Sequence, residues 1–465
     1  MNAMQNNRSE MLHAEVNVLL DTFRRLLRRR ARTNLEKLTI KTHPADLALL
    51  FRHFSDEERQ QVFTVIQKTE TVGEFLPELD ESIVEALLEP LDASAVVILL
   101  EKVSADDRAD ILNLLPEEKA NSVLKAFDSE ESEELEELMS YAPDTAGGIM
   151  SVDPFSLSEN TTAAEAVTNI QSSEDAEMVF YLYVTDEKEK LTGVVSLRDL
   201  VVAPPNSTLK SFMLTNVVAV TTDTDQEEVA RQVSRYNLLA IPVVDADNTL
   251  LGIVTVDDVV DVIREEATED FLQMAGIGKD REILMKSTWE NARLRLPWLF
   301  ASWIGGTAAV YIIGWYQEML TSIVALAAFI PVIVGMGGNI GTQSSTIIIR
   351  GIATGRVQLA QASKVILKEI GVGVLLGVFY GILLGIVAYF KFIDIEEPMK
   401  LGLVVGLAIF ASMLIATSIG TLVPILLRKV DVDPAIASGP FVTTSTDVLG
   451  ILLYFIIANS LLHTI

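Results

Sequence analysis

The chain contains no cysteine. That excludes a disulfide framework and any thiolate-held metal, so a metal bound here is held by oxygen, which favours Mg²⁺, Ca²⁺ or Mn²⁺ over Zn²⁺ or Cu²⁺. Histidine is nearly as scarce, with four residues (His13, His43, His53 and His463) and none beside a nucleophile motif. Neither GxSxG nor a phosphate-cradling P-loop occurs, which argues against an enzyme and against ATP-driven pumping. Positive charge is short as well: 36 Lys and Arg stand against 64 Asp and Glu, a net of −28. Such a polyanion repels nucleic acid and concentrates cations, although acidity also serves solubility alone. The one basic run, Arg24 to Arg32, has no apolar core behind it, so the N-terminus does not read as a secretory signal peptide.

What is present is unevenly divided. At 465 residues the chain predicts two to four domains. From Thr288 onward there are ten basic and nine acidic residues, which leaves 26 basic and 55 acidic in the first 287 positions. The first part is a water-facing polyanion, and the second is nearly uncharged and apolar.

Residues 1–140 predict an all-helical domain, with apolar residues at three- and four-residue spacing behind acidic N-cap sequences. A weak repeat of period 49 runs through it. His43-Pro44-Ala45-Asp46 to Phe54-Ser55-Asp56 echoes Asp92-Ala93-Ser94-Ala95 to Val103-Ser104-Ala105. Each copy reads as a helical hairpin, and stacked hairpins bury one another's apolar faces in a superhelix.

Residues 141–262 change to short β-branched runs with a second repeat, of period 59. Thr192-Gly193-Val194-Val195-Ser196-Leu197-Arg198-Asp199-Leu200 matches Leu251-Gly252-Ile253-Val254-Thr255-Val256-Asp257-Asp258-Val259. Strand, polar turn, strand, then a helix opened by Ser/Thr-x-x-Asp is one physical unit. Two copies resemble a tandem pair of CBS modules. Residues 257–287 then predict a charged connecting helix, from Asp257 to about Met285.

After it, in residues 288–465, come five apolar segments, near 297–316, 321–350, 366–391, 400–427 and 436–463, each of the ~20 residues that a membrane span needs. Basic residues cluster before the first span, between the second and third (Arg350, Arg356, Lys364, Lys368) and between the fourth and fifth (Arg428, Lys429), while the opposite loops hold Glu318, Asp394, Glu396 and Glu397. The positive-inside rule therefore predicts cytoplasmic acidic domains, an external C-terminus and a cell-membrane location.

Asp447 falls about a third of the way into the fifth segment, after the hydroxyl run Thr443-Thr444-Ser445-Thr446. An ionised carboxylate there is costly, and no basic residue in a span interior can pair with it. A cation, cavity water or protonation remain. The second segment reads as broken, by Pro331 and then by Gly335-Met336-Gly337-Gly338-Asn339-Ile340-Gly341-Thr342-Gln343-Ser344-Ser345-Thr346, which suits either a pore lining or close helix packing.

This order of parts resembles the MgtE family of magnesium channels and transporters over essentially the full length. The most specific matches are Gly335-x-Gly337-Gly338-Asn339 with Gln343-Ser344, and Asp433-Pro434-Ala435 with Asp447 fourteen residues on. The resemblance implies a multidomain fold: an all-α superhelical N-terminal domain, an α/β tandem CBS pair, a connecting plug helix and a five-helix α transmembrane domain. It further implies a homodimer with a Mg²⁺ pore between subunits, Asp447 holding the hydrated ion and Gly335, Gly338, Asn339, Thr342, Thr346 and Gly450 lining the path. Thr342 and Gly439 depart from residues that the family can carry there.

The carboxylates Asp225, Glu227, Glu228, Asp257, Asp258, Asp261, Glu265, Glu266, Glu269 and Asp270 are dense and unpaired by sequence, as are Asp106, Asp107 and Asp110. Each by itself reads as a solvated face. As a set, the resemblance implies weak Mg²⁺ sites that clamp domains which otherwise repel. Asp433 is a helix N-cap, a mouth-side metal ligand, or both. Arg198 and Asp199 occupy the ribose- and phosphate-reading position of CBS relatives that bind ATP, and Tyr181 is placed to stack on a base, against a plain helix cap. Leu238 stands where a relative can use an aromatic. The rival functions are a CBS-regulated channel for another ion and a membrane metal sensor that does not conduct.

Overall fold

A computed structural model of the chain describes residues 16–152, 154–172, 180–277, 286–357, 362–430, 432–437 and 439–462. Residues 278–285, the expected end of the connecting helix, lie outside that set, as do His13 and His463. The chain divides into two compact units, Met1–Ile263 and Arg264–Ile465.

The first unit opens with short helices that pack on the helix two places along, which is the contact pattern of a superhelix. The 49-residue repeat is visible in the elements. Helices Pro44–Phe51 and Asp56–Ile66 recur as Ala93–Leu100 and Ala105–Leu114. The cap of the first helix recurs, His43 accepting from Ala45 N at 3.3 Å as Asp92 does in the second copy, whereas that of the second helix does not, since Ser104 makes no capping bond where Ser55 makes one. Asp92 accepts from Ala95 N at 2.8 Å, and Ser55 with Glu58 forms a reciprocal capping box. Phe51, Phe63, Phe75, Leu88 and Leu100 fill the core between them.

Among the described residues, the CBS half holds two three-stranded sheets. Strands β1 (Ser156–Ser158), β2 (Tyr181–Thr185) and β3 (Leu191–Ser196) form one, and β4 (Val220–Thr221), β5 (Ala240–Val244) and β6 (Leu250–Thr255) the other. In each, the first pair is parallel and the second antiparallel, with a register shift at the same place. The β2–β3 and β5–β6 turns match in detail. Asp186 accepts from Lys188 N and Lys190 N as Asp245 does from Asp247 N and Thr249 N, and Glu189 and Asn248 take left-handed φ of 61° and 68°. The copies diverge after the last strand. The helix after β3 spans only Leu197–Val202 and stops ahead of Pro204-Pro205, whereas the one after β6 runs Val256–Met274, out of the first unit and into the second. That second helix is the connecting helix, and it ends before the expected Met285, at a turn where Gly276 takes φ +72°.

Among the described residues, the second unit contains five helices long and apolar enough to cross a membrane: Thr288–Trp315, Val324–Ala353, Ala362–Lys391, Pro398–Lys429 and Gly439–Leu462. The shortest has 24 residues, about 36 Å at 1.5 Å per residue, against a hydrocarbon layer of about 30 Å. Two expectations need correction, and one helix extends beyond its apolar segment. The helix that carries the first apolar segment begins at Thr288, nine residues ahead of that segment, with Pro297 inside it. The second span is not broken: helix Ile330–Ala353 continues through the glycine run, and Pro331 sits in its first turn, where a missing N–H leaves no bond unmade. Lys364 and Lys368 lie within the third-span helix and not in a loop. The third and fourth spans cross closely; a β-carbon on Gly402 would stand 2.8 Å from the Gly385 carbonyl, and one on Gly406 the same distance from that of Gly381.

Candidate cation pathway and regulatory carboxylates

Asp447 is the ninth residue of the fifth-span helix. Its carboxylate faces the second span. A β-carbon on Gly338 would lie 3.6 Å from Asp447 Oδ1 and 3.7 Å from Thr443 Cγ2. One turn on, Gly341 packs against Val442 and Thr446. The helices approach this closely because glycines face them. Among the described residues no hydrogen bond or ion pair reaches Asp447, although it is half-buried. The neighbouring hydroxyls are turned to their own helices: Thr443 donates to Gly439 O, Thr446 to Thr443 O and Thr342 to Gly338 O, at 3.0, 2.9 and 3.0 Å. Gly335, Asn339 and Thr346 are exposed and Thr342 half-buried, and their spacing puts them on one side of the helix. Gly450 is buried beside Ser412 of the fourth span, where a β-carbon would stand 3.1 Å from Ser412 Oγ.

The end of the connecting helix meets the start of the fifth span inside the second unit. Gly439 lies against the Met274 carbonyl so tightly that a side chain there would collide with it, and Gly276 packs on Pro440. Asp433 accepts from Ala435 N at 2.8 Å, capping the short helix Pro434–Ala437. Burial, then the charges of Asp433, Glu266 and Glu269, push the Asp270 carboxyl up to about 6, with Arg350 opposing them. Asp270 and Asp433 thus form a repelling pair at the junction of helix and span. Glu269 accepts from Gln273 Nε2 at 2.7 Å.

In the first unit, Asp106 and Asp107 on helix Ala105–Leu114 share a repelling field with Asp258 at the start of the connecting helix. Burial and then the Asp106 charge push Asp107 up to about 7, with Asp258 and Asp110 adding to it and Ser104 opposing. Burial pushes Asp258 up to about 6; Thr255 opposes, and Asp106 and Asp257 add. Asp106 Oδ1 is buried with no hydrogen-bond partner among the described residues. The other acids are placed differently. Asp225 caps helix Gln226–Tyr236 by accepting from Glu227 N at 2.9 Å. Glu227 and Glu228 were expected to be unpaired, but Arg231, one turn on, bridges both at 3.6 and 2.9 Å. Asp261, Glu265 and Glu266 likewise have partners, as does Asp110. No group of three or more acids or histidines at metal-binding spacing occurs among the described residues.

In the first CBS module, Arg198 and Asp199 are exposed and Tyr181 on β2 is half-buried. The Asp199 carboxylate accepts from Ser196 Oγ at 2.7 Å while Asp199 N donates to that hydroxyl at 3.1 Å, so the helix-cap role is occupied. The sequence reading missed two polar groups. Tyr183, beside Tyr181, buries a hydroxyl with no partner among the described residues, hidden in the sequence because it reads as a strand-core residue. Glu369 lies inside the third span and accepts from Ser344 Oγ at 3.1 Å. The expected segment 366–391 already contains it, but its place in the first turn, beside Lys368, gives no sign of a buried partner.

Five apolar helices with a carboxylate, unpaired among the described residues, between two closely packed ones, in a chain whose other half is strongly acidic, define a multi-pass membrane protein of the ion-transporter class. Comparisons with known proteins agree. The family models for the MgtE intracellular N domain, the CBS domain and the MgtE divalent cation transporter match residues 42–144, 146–206 with 209–265, and 330–457. The magnesium transporter MgtE of Thermus thermophilus is 38% identical over 93% of this chain and 96% of its own length, and that of Bacillus subtilis 35% over 91% and 92%. The solved cytosolic domain of the Mg²⁺ channel MgtE in complex with ATP is 36% identical, with a TM-score of 0.50 over 52% of this chain and 99% of that one. The chain belongs to the MgtE family.

Proposed function

We propose that two copies of this chain form one Mg²⁺-selective conduit for magnesium uptake across the cell membrane, shut by Mg²⁺ on the cytoplasmic side. The observation that carries it is Asp447: a half-buried carboxylate in a span, unpaired among the described residues, with a glycine cleared in front of it. Mg²⁺ sheds water reluctantly, so a hydrated ion is recognised by outer-shell contact with a carboxylate, and two such groups across a two-fold axis balance its charge. Gly335, Asn339, Thr342 and Thr346 extend the same path, with Gly338 and Gly450 holding its wall close-packed. The acidic domains face the cytoplasm by the distribution of basic residues. There, Mg²⁺ bridges Asp106 and Asp107 to Asp258, and Asp270 to Asp433, with Asp110, Asp225, Glu227, Asp261, Glu266 and Glu269 contributing weaker contacts. Drawing the connecting helix onto the start of the fifth span, at Met274 and Gly439, closes the pore. An adenine nucleotide held by Tyr181, Arg198 and Asp199 shifts that balance without being hydrolysed. The test is Mg²⁺ flux in reconstituted liposomes. Asp447→Asn is expected to abolish it at equal incorporation, and wild-type flux through that variant would overturn the reading.

A further inference from the structure

The third span carries a buried acid that the conduction path does not use. Glu369 is 6% exposed and its hydroxyl partner on the second span, Ser344, 3%. Fully buried Ser345 and Thr421 lie at the same level, their hydroxyls without partners among the described residues. One turn away on each of the three helices, Ile348, Ile425, Val365 and Ile366 belong to a single apolar cluster. On the other side, Gly373 packs on Thr417 one turn away, and Gly420, next to Thr421, packs on the carbonyl of Gly341. The acid therefore sits in a thin polar layer between an oily plug and a tight crossing. In such a place a lost partner is not replaced by water, and the geometry of the bond is correspondingly strict.

Ser344 follows Thr342 by two residues, about 200° around the helix. It points away from the face that carries Gly335, Asn339, Thr342 and Thr346. We propose that Glu369 is a positioning residue for conduction: by accepting the Ser344 hydroxyl from behind, it sets the rotation of the second span and so keeps Gly338 and Thr342 presented to Asp447 and the path. This rests on the reading of the second and fifth spans as the pathway. The acceptor oxygen performs the role, and glutamine at this position retains it while leucine does not.

The absence of cysteine makes a single introduced thiol a clean reporter. The rate at which a water-soluble methanethiosulfonate reagent modifies Thr342→Cys in the full-length protein is compared in otherwise native, Glu369→Leu, Glu369→Gln and Ser344→Ala backgrounds. Mg²⁺ flux is measured in the same substitutions without the cysteine. Glu369→Leu and Ser344→Ala are expected to slow both modification and maximal flux about tenfold or more, the size of effect that a small misplacement produces. Glu369→Gln restores both, and Ser344→Ala with Glu369→Leu is no worse than either alone. Glu369→Gln as defective as Glu369→Leu would overturn the proposal, as would a modification rate indifferent to all three. If Glu369→Leu does not fold, Ser344→Ala against Glu369→Gln decides the matter by the same rates. A thiol at 342 that is never modified in the native background would refute the pathway reading itself, which is a different result from one modified at an unchanging rate.

Discussion

Asp447 Oδ1 and the missing β-carbon of Gly338 would be 3.6 Å apart, an ordinary van der Waals contact. A methyl group therefore fits, and a long side chain has to grow past Asp447 and Thr443. Gly338→Ala is expected to keep flux within about threefold of wild type, and Gly338→Leu to lower it by about a hundredfold through displacement of the carboxylate. Liposome flux at matched protein incorporation measures both. Equal flux from the alanine and leucine variants would show that Gly338 does not crowd Asp447.

A shared conduit predicts dominance. When wild-type and Asp447→Asn chains are co-expressed with separate tags, mixed pairs purified on both tags should conduct poorly. Half the wild-type flux from such pairs would mean that each chain conducts by itself.

Closure by many weak contacts predicts graded loss. Moving a two-state switch from 1:99 to 99:1 takes about 5.5 kcal/mol, and a site held tenfold above its dissociation constant supplies about 1.4 kcal/mol, so about four sites act together. Asp270→Asn alone should raise the closing Mg²⁺ concentration by about two- to threefold. Neutralising Glu265, Glu266, Glu269 and Asp270 together should defeat closure. Channel recording with Mg²⁺ varied on the cytoplasmic face reads both, and unchanged closure in the quadruple variant would exclude the mechanism.

Asp107 and Asp258 titrate at about 7 and about 6, above the ordinary 3.8, chiefly because of burial. The folded chain then holds more protons than the unfolded one across that interval, so metal-free stability falls as pH rises from about 4 through 7. Without Mg²⁺ the protein should resist urea better at pH 6 than at pH 8, and Mg²⁺ should recover the loss at pH 8. Because protons compete with the ion, the closing Mg²⁺ concentration should be higher at pH 6. Asp107→Asn should flatten the pH dependence of stability; a slope unchanged in that variant would assign it to other groups.

The nucleotide reading is tested by calorimetry with ATP on the full-length protein. Arg198→Ala should weaken binding about tenfold, in line with one lost charge-assisted contact. Absence of heat from the native chain at millimolar ATP would remove the nucleotide from the account.

Much of the architecture was legible because it repeats or because water enforces it. The 49- and 59-residue periods align with helices Pro44–Phe51 and Ala93–Leu100 and with β2 and β5, since each copy must bury the same face. Hydrocarbon demands long apolar runs, so five spans and the anomaly of Asp447 stand out in one dimension. Pairings across helices do not. Proline and a glycine run read as a break in the second span, yet the helix is continuous, because Pro331 falls in the first turn and neighbouring helices fill the space that glycine leaves. Arg231 bridges Glu227 and Glu228 through helical spacing that local charge density concealed. Only the packed bundle brings Glu369 to Ser344 across 25 positions, and Gly338 to Asp447 across more than a hundred. Composition and period determined what kind of segments these are; which polar groups meet was decided by tertiary packing, since a buried side chain's partner is set by distance in space.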